Sequence, residues 1–495
     1  MMTNDRVVRR ESGGEAQQAG ELRPGRLSAP EIVFFVVAAA APMAVFVGTG
    51  PNSLRLGGVG LPGVMIVTGL ILLLFASGFT AMSRYARDAG AFYAYVSRGL
   101  GVNMGNGTAV MTTVAYGACV IGFTGYIGYY ASGTASSLLG VDLPWQVWSL
   151  VFAAIMAVLG FCQVDIGAKV LAILLTLEVG VILVLVVSIW VKGGPEPVSA
   201  EPFTVDNVLL SGGSGTLFML AFGSYLGFEG TAIYAEEAKR PERTIPIATY
   251  VAVGFLSLFY AVTLWTQSYG FGVRGSLEMA QSDDFLNMAF IQSDQYAGKA
   301  VTVALEVLIV TSFFACILAF HNACTRYLYS LGRGGLLPRG LAKTHRRMHS
   351  PYFASVVLSV ITFAVLGAAM VFGLDPFLQL GNWSYASGVI GIVAAQALCA
   401  FAVVFFFRRD QRGHSWFRVV GAPLLGGIGL AVAVVLIVAK FDVISGYTDM
   451  STNMVMISVM PVSFIVGIGL GWARRRRGHA LGACEPNESP TRAGA

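Results

Sequence analysis

Charge is scarce in this sequence. Asp, Glu, Lys and Arg make up 12% of its 495 residues, about half the share found in ordinary soluble domains. Apolar residues reach 55% and the mean hydropathy is +0.69. A soluble globular protein is excluded, and an integral membrane protein is implied. The six cysteines, Cys119, Cys162, Cys316, Cys324, Cys399 and Cys484, have no metal-like spacing. They read as small packing residues rather than as a disulfide or zinc site. No phosphate-binding loop, paired His–Glu metal motif or nucleophile elbow is found, which argues against an enzyme. No cofactor and no metal are expected. The first 27 residues are polar and rich in Gly, Arg and Glu, unlike a cleavable signal peptide. Residues 1–27 read as a disordered cytoplasmic tail, as do residues 476–495.

What the sequence does hold is apolar windows of about 20 residues, the length that crosses the hydrocarbon core. Twelve are expected, at 31–56, 61–83, 104–131, 146–164, 167–191, 213–235, 245–270, 299–326, 351–373, 380–407, 419–440 and 451–473. Basic residues fix their direction, because cytoplasmic loops are enriched in Lys and Arg. With the N-terminus inside, only Arg55, Lys192, Arg274, Lys299 and Lys440 of the 32 basic residues face outward. The other 27 collect on the cytoplasmic side, so both termini are placed there and the membrane is the cytoplasmic one. The same placement explains the net charge of +5 by topology, without nucleic acid. The segment 84–101, with Arg84, Arg87 and Arg98 among aromatics, is expected along the membrane interface.

Two of the windows are interrupted. Around span 6, Gly223, Gly227 and Gly230 fall within eight residues, beside Ser224 and the ionisable Glu229. Glycines loosen a helix, and a carboxylate at membrane depth costs roughly 2.5–3.5 kcal/mol on insertion scales. Unwound backbone is tolerated there only where protein or a water-filled cavity satisfies it. The stretch reads as a broken helix lining a polar site; the alternative is a glycine-rich packing helix with Glu229 paired. In span 1, Pro42 follows four alanines and Gly48-Thr49-Gly50-Pro51 comes after it. An internal proline costs a helix about 3 kcal/mol, so a break or a simple kink is expected. Spans 1 and 6 are five helices apart, an odd number, so two five-span halves would enter the membrane from opposite sides. Matched breaks in inverted halves point to a transport site near the midplane.

Other residues are weaker pointers. Tyr116 in span 3 could wall a cavity. Glu178 in span 5 is a lone intramembrane carboxylate, either functional or structurally hydrogen-bonded. In span 8, His321 is expected at the cytoplasmic interface, and Glu306 is expected to reach headgroups or water. The acidic loop 271–298 is long enough to cover an outer vestibule. Spans 11 and 12 read as packing or oligomer-contact helices.

The stretches Gly227-Phe228-Glu229 and Ala235–Pro246, with Ala89–Tyr95, Gly99-Leu100-Gly101 and Arg326–Pro338, together resemble the amino acid–polyamine–organocation permeases. The likeness covers about 28–475. It implies the LeuT-type fold: an all-α membrane protein with a 5+5 inverted repeat (about 31–191 and 213–407) and accessory helices at about 419–473. It implies secondary transport of amino acids or amines by alternating access, as proton symport rather than sodium symport. A substrate–product exchanger is the nearest alternative, and a channel or amino-acid sensor a more distant one. By the resemblance, the substrate carboxylate meets backbone donors in Ala41-Pro42-Met43-Ala44-Val45-Phe46, where relatives carry a Gly-rich segment. The amino group meets carbonyls of Phe222, Gly223, Ser224 and Tyr225 near Gly227, with Tyr225 as an aromatic gate. Glu229 and Glu178 would exchange the proton, Glu178 standing where some relatives carry a lysine.

Overall fold

The computed structural model describes residues 28–83, 85, 91–162, 168–233, 238–345 and 350–476. The expected tail 1–27, the residues after 476, Cys484 and the motif residues 84, 86–90 and 234–237 lie outside the described part. The elements that form are helical. Eleven are long and apolar enough to cross a membrane: Ala29–Gly57, Leu61–Met82, Val102–Leu139, Trp145–Cys162, Ala172–Lys192, Pro241–Phe271, Lys299–Arg333, Tyr352–Val371, Pro376–Phe407, Phe417–Ala439 and Met450–Arg476. The window expected as span 6 contains a shorter apolar helix, Ser214–Ser224, and, after a non-helical stretch, Gly230–Ile233.

Several helices outrun their hydrophobic windows. Val102–Leu139 continues eight residues past the expected end, because nothing in Ser132–Leu139 stops a helix before Gly140 takes the left-handed conformation at φ 64°. Its 38 residues span about 57 Å at 1.5 Å per residue, well beyond the thickness of a hydrocarbon core of about 30 Å. Hydropathy finds where lipid begins, while helices end at caps and breakers.

Span 3 is the centre of the molecule. Of its apolar window 78% is buried, against 22% for spans 4 and 12, which form the periphery. Span 3 packs on span 10 through small residues that let the backbones approach. A Cβ at Gly388 would lie 2.4 Å from Cys119 Sγ, and one at Gly122 3.0 Å from the Gly381 carbonyl. Spans 11 and 12 also dock by glycine: Gly426 against Phe75 of span 2, and Gly467 against Asn106 of span 3. Their outward faces, with Val432, Val435, Val455 and Ile465, remain exposed.

Two connections differ from expectation. The segment after span 2 forms a helix, Ala91–Leu100, but it enters the protein instead of lying on the interface. Phe92, Tyr95 and Val96 are buried, and Phe79 packs against Phe92 and Tyr95 at 6.0 and 5.2 Å between ring centroids. Its aromatic face found a protein partner, so it has no need of lipid headgroups. The long loop between spans 7 and 8 is largely helical, with Val273–Gln281, Phe285–Asn287 and Met288–Tyr296. It folds over the end of span 1, where the Arg55 guanidinium lies 4.4 Å above the Phe285 ring.

Candidate functional site

The first helix ends at Ala39, and Ala40 and Ala41 are not helical. Pro42 dictates the break, because its ring disfavours the helical conformation in the residue before it. Ala41 instead adopts φ 48°, ψ 69°, the left-handed region, which costs a non-glycine residue about 1–2 kcal/mol. The chain then restarts as Pro42–Ala44, winds as a π-helix over Val45–Thr49 and continues through Gly50–Gly57. Carbonyls released by the break are taken up from neighbouring spans. Ala39 O accepts from Cys316 Sγ at 3.3 Å, and Ala40 O from Tyr260 OH at 3.1 Å. The first backbone bond of the restarted helix is Val45 N to Ala41 O. The amides of Met43 and Ala44 therefore have no intrahelical acceptor, as at any helix N-terminus. The Met43 amide lies against the Glu178 carboxylate.

The second break opens after Ser224. Residues 225–229 form successive turns closed by Tyr225 N to Phe222 O, Leu226 N to Gly223 O and Phe228 N to Tyr225 O. Among the described residues, no backbone amide bonds the carbonyl of Ser224. Gly227 carries the sharpest turn, at φ 107°. Glu229 folds back on this turn, accepting from the Gly227 amide at 3.0 Å on one oxygen and from Tyr116 OH at 2.7 Å on the other. The two breaks touch: a Cβ at Gly227 would lie 2.9 Å from that of Ala39.

Both breaks border one small cavity of about 40 Å³. Ala39–Ala41, Ala44 and Val45 face it from span 1, and Gly223, Ser224 and Leu226 from span 6. Spans 3, 8 and 10 close it with aromatic side chains, Phe123, Tyr126, Phe313, Phe320, Phe377 and Tyr385. Of the twelve residues expected to bind substrate, Ala41, Ala44, Val45, Gly223 and Ser224 border the cavity. Pro42, Met43, Phe46, Phe222, Tyr116 and Gly227 do not border it. Tyr225 points elsewhere, its hydroxyl donating to Met65 O at 2.8 Å and meeting Ser257 Oγ at 2.9 Å. Glu178 accepts from Ser312 Oγ at 2.9 Å, so it ties span 5 to span 8 beside the first break.

A second, larger concavity of about 800 Å³ is bounded by Arg55, Tyr129, Trp145, Asp375, Asn382 and Tyr447. Three side chains separate it from the small cavity. Asn382 Oδ1 accepts from Tyr126 OH at 2.7 Å and from Asn52 Nδ2 at 3.2 Å. Asn52 and Tyr126 border the small cavity and Asn382 the large one. The clasp joins spans 1, 3 and 10.

Two polar residues of span 8 are covered by protein where headgroups or water were expected. His321 is buried and shares a hydrogen bond of 3.0 Å with Ser355 Oγ of span 9. Glu306 is buried too, accepting from Ser137 Oγ at 3.1 Å. In both cases span 3 or span 9 extends far enough to supply a partner, which replaces the headgroups or water. Among the described residues, no three His, Cys, Asp or Glu side chains converge as metal ligands.

Two broken helices meeting at a buried cavity inside a multi-pass helical protein define a membrane permease. The chain belongs to the amino acid permease family, whose profile matches residues 31–478; the family is one of transporters, not enzymes. The chain is 23% identical over 434 residues to the branched-chain amino acid permease BcaP of Bacillus subtilis, covering 83% of this chain and 87% of that protein. It is 24% identical over 436 residues to the methylthioribose transporter of the same organism, with the same coverage. Against cationic amino acid transporter 7, chloroplastic, of Arabidopsis thaliana it is 25% identical over 388 residues, covering 73% of this chain and 62% of that one. Among solved structures, a manganese transporter from Eremococcus coleocola aligns over 91% of this chain and 95% of its own, with a TM-score of 0.56 and 14% identity. At that identity the likeness concerns the fold alone, and the fold is the LeuT type.

Proposed function

We propose that the protein is a secondary active transporter that carries amino acids across the cytoplasmic membrane by alternating access, coupled to protons. The observation that carries this reading is the contact of two helix breaks over one cavity. A site that faces each side in turn needs backbone groups able to change partners there, and intact helices have none to spare. In this reading Ser214–Ile233 is a sixth, two-piece crossing, giving twelve crossings in two inverted halves of five plus two accessory helices. The 27 basic residues at one end of the spans favour cytoplasmic termini.

The substrate carboxylate meets the Ala44 amide at the positive start of the restarted helix. The substrate amine meets the Ser224 carbonyl, which accepts no backbone bond among the described residues. Glu229, linked to Tyr116 and to the second break, and Glu178, linked to the first, are positioned to exchange the proton. The relatives' names give three different cargoes, a branched-chain amino acid, methylthioribose and cationic amino acids, so the names alone select none. Among the described residues no three His, Cys, Asp or Glu side chains converge, so no side-chain cluster of that kind favours a manganese cargo.

Uptake of labelled amino acids by proteoliposomes tests the reading. An inward proton gradient is expected to drive accumulation above the outside concentration. Accumulation driven by sodium alone would overturn proton coupling, and uptake that requires only internal amino acid would identify an exchanger.

Alternating access gives the Asn52–Asn382–Tyr126 clasp a role as the outer closure of the site. Asn382→Ala removes the shared acceptor. Its two hydrogen bonds contribute about 1 kcal/mol each, so the outward-open population should rise roughly tenfold or more. The check is labelling of Cys316, which borders the cavity, by a membrane-impermeant thiol reagent added outside. Labelling is expected to accelerate by that factor, and the added signal is expected to vanish in the Cys316→Ser background.

A further inference from the structure

The chemistry of the cavity wall separates what every α-amino acid shares from what distinguishes one from another. The backbone groups at the breaks, the Ala44 amide and the Ser224 carbonyl, match a carboxylate and an amine and are blind to the side chain. Selection therefore falls to the side chains that line the rest of the cavity, and none of these is Asp, Glu, Lys, Arg or His. Leu220, Leu226, Phe123, Phe313, Phe320 and Phe377 form its apolar part. Its polar side chains are few, Thr49, Asn52, Tyr126, Ser224 and Tyr385, and three of them bond within the protein, although Asn52 Oδ1 has no partner among the described residues. Ser224 Oγ donates to Leu220 O at 2.7 Å, and Asn52 and Tyr126 both donate to Asn382. The two nearby carboxylates do not border the cavity. Glu229 is held by Tyr116 and Gly227, and Glu178 by Ser312.

We infer that this site, if it is the amino acid site just described, selects neutral amino acids with aliphatic side chains and uses Phe123 to limit their size. A lysine or glutamate side chain entering this wall would bury an ion without a partner, which costs several kcal/mol. Since each 1.4 kcal/mol is tenfold in affinity, charged amino acids are disfavoured by roughly a hundredfold or more. A hydroxyl is a different matter. An apolar pocket rejects an isostere bearing a hydroxyl only about a hundredfold at most, so threonine should remain a weak competitor of valine.

Size is limited by the aromatic wall. Phe123 meets Phe320 edge-on at 5.2 Å and packs on Tyr385 at 5.4 Å and Phe313 at 6.4 Å between ring centroids. The void of about 40 Å³ has room for a few waters at most. A substrate side chain enters as the helices part, and each added carbon demands wider opening. Aliphatic side chains fit this demand better than a second ring beside Phe123. Phe123→Ala removes the ring that a larger substrate would have to displace.

The full-length protein in proteoliposomes provides the test, with labelled leucine, lysine, glutamate and phenylalanine each offered under a proton gradient and in counterflow. Leucine should be transported, with isoleucine and valine competing, and lysine and glutamate should compete roughly a hundredfold less well. Phe123→Ala should raise competition by phenylalanine relative to leucine by about tenfold and leave lysine excluded. If Phe123→Ala does not fold, Phe123→Leu gives the same readout with a smaller cavity. Lysine or glutamate transported as well as leucine would overturn the selectivity and leave the permease reading intact. An unchanged phenylalanine-to-leucine ratio in the Phe123 variants would overturn the size limit. Folded protein that moves none of the four, in either mode, would overturn the amino acid cargo and the selectivity with it.

Discussion

Glu229→Gln is expected to abolish gradient-driven accumulation while sparing substrate binding. With one proton carried per substrate, a gradient of one pH unit can sustain at most about a tenfold accumulation, the ratio equivalent to 1.4 kcal/mol. Glutamine keeps the size of the side chain; its carbonyl oxygen can accept from the Gly227 amide while its NH2 donates to the Tyr116 hydroxyl oxygen. It cannot lose or gain the proton. The accumulation ratio should fall from near ten to near one at that gradient, with counterflow exchange preserved. A variant that still accumulates tenfold would remove Glu229 from coupling and leave Glu178 to carry it. Tyr116→Phe separates positioning from titration. It deletes the 2.7 Å hydrogen bond and leaves the carboxyl titratable, so coupling should weaken without disappearing.

The position of Glu229 explains why it fits this role. It ties the second break to span 3 through Tyr116, and the turn it caps touches Ala39 at the end of the first helix. A change of its charge alters hydrogen bonds on both sides of that contact. Coupling needs such a differential effect, because a proton bound equally well in two conformations shifts neither. Glu178 holds a parallel position at the first break, between Ser312 and the Met43 amide. Each break therefore carries its own carboxylate.

Much of this was legible in the sequence, for identifiable reasons. The membrane spans follow from apolar windows, and their breaks from Pro42 and from the glycines around Glu229. The location of the first break is offset, at Ala40–Ala41 rather than at Pro42, because proline acts on the residue before it. The cavity wall was hidden. Phe123, Phe313 and Phe320 sit on helices with apolar residues on every side, where a phenylalanine facing a cavity and one facing lipid look alike. Asn52 and Asn382 bond across 330 positions of chain, a pairing no local pattern encodes. Tyr116 was expected to wall the cavity but does not border it; its place as a donor to Glu229 depends on how span 3 is rotated. The interfacial reading of His321 failed for the same reason: depth along a helix is readable, and the partner across the gap is not.

The three glycines of span 6 look alike in sequence and have separate roles in the structure, which makes Gly227→Ala the sharpest probe of the paired breaks. Gly223 is helical, and a Cβ there would meet Tyr385 OH at 2.1 Å. Gly230 starts a helix with nothing within 4 Å of an added Cβ. Gly227 alone combines a left-handed φ of 107° with a close neighbour, 2.9 Å from Ala39 Cβ. An alanine there bears a backbone cost of about 1–3 kcal/mol and must also push the two breaks apart. Loss of stability of that order is expected, with transport lost more completely than stability, since the displaced contact is the one the cycle would work through. Gly230→Ala serves as the control, because alanine favours a helix by about 1 kcal/mol over glycine and meets no obstacle. Thermal unfolding and uptake measured on both variants check the argument. Wild-type transport by Gly227→Ala, at reduced melting temperature, would mean that the contact between the breaks supports the fold and takes no part in moving substrate.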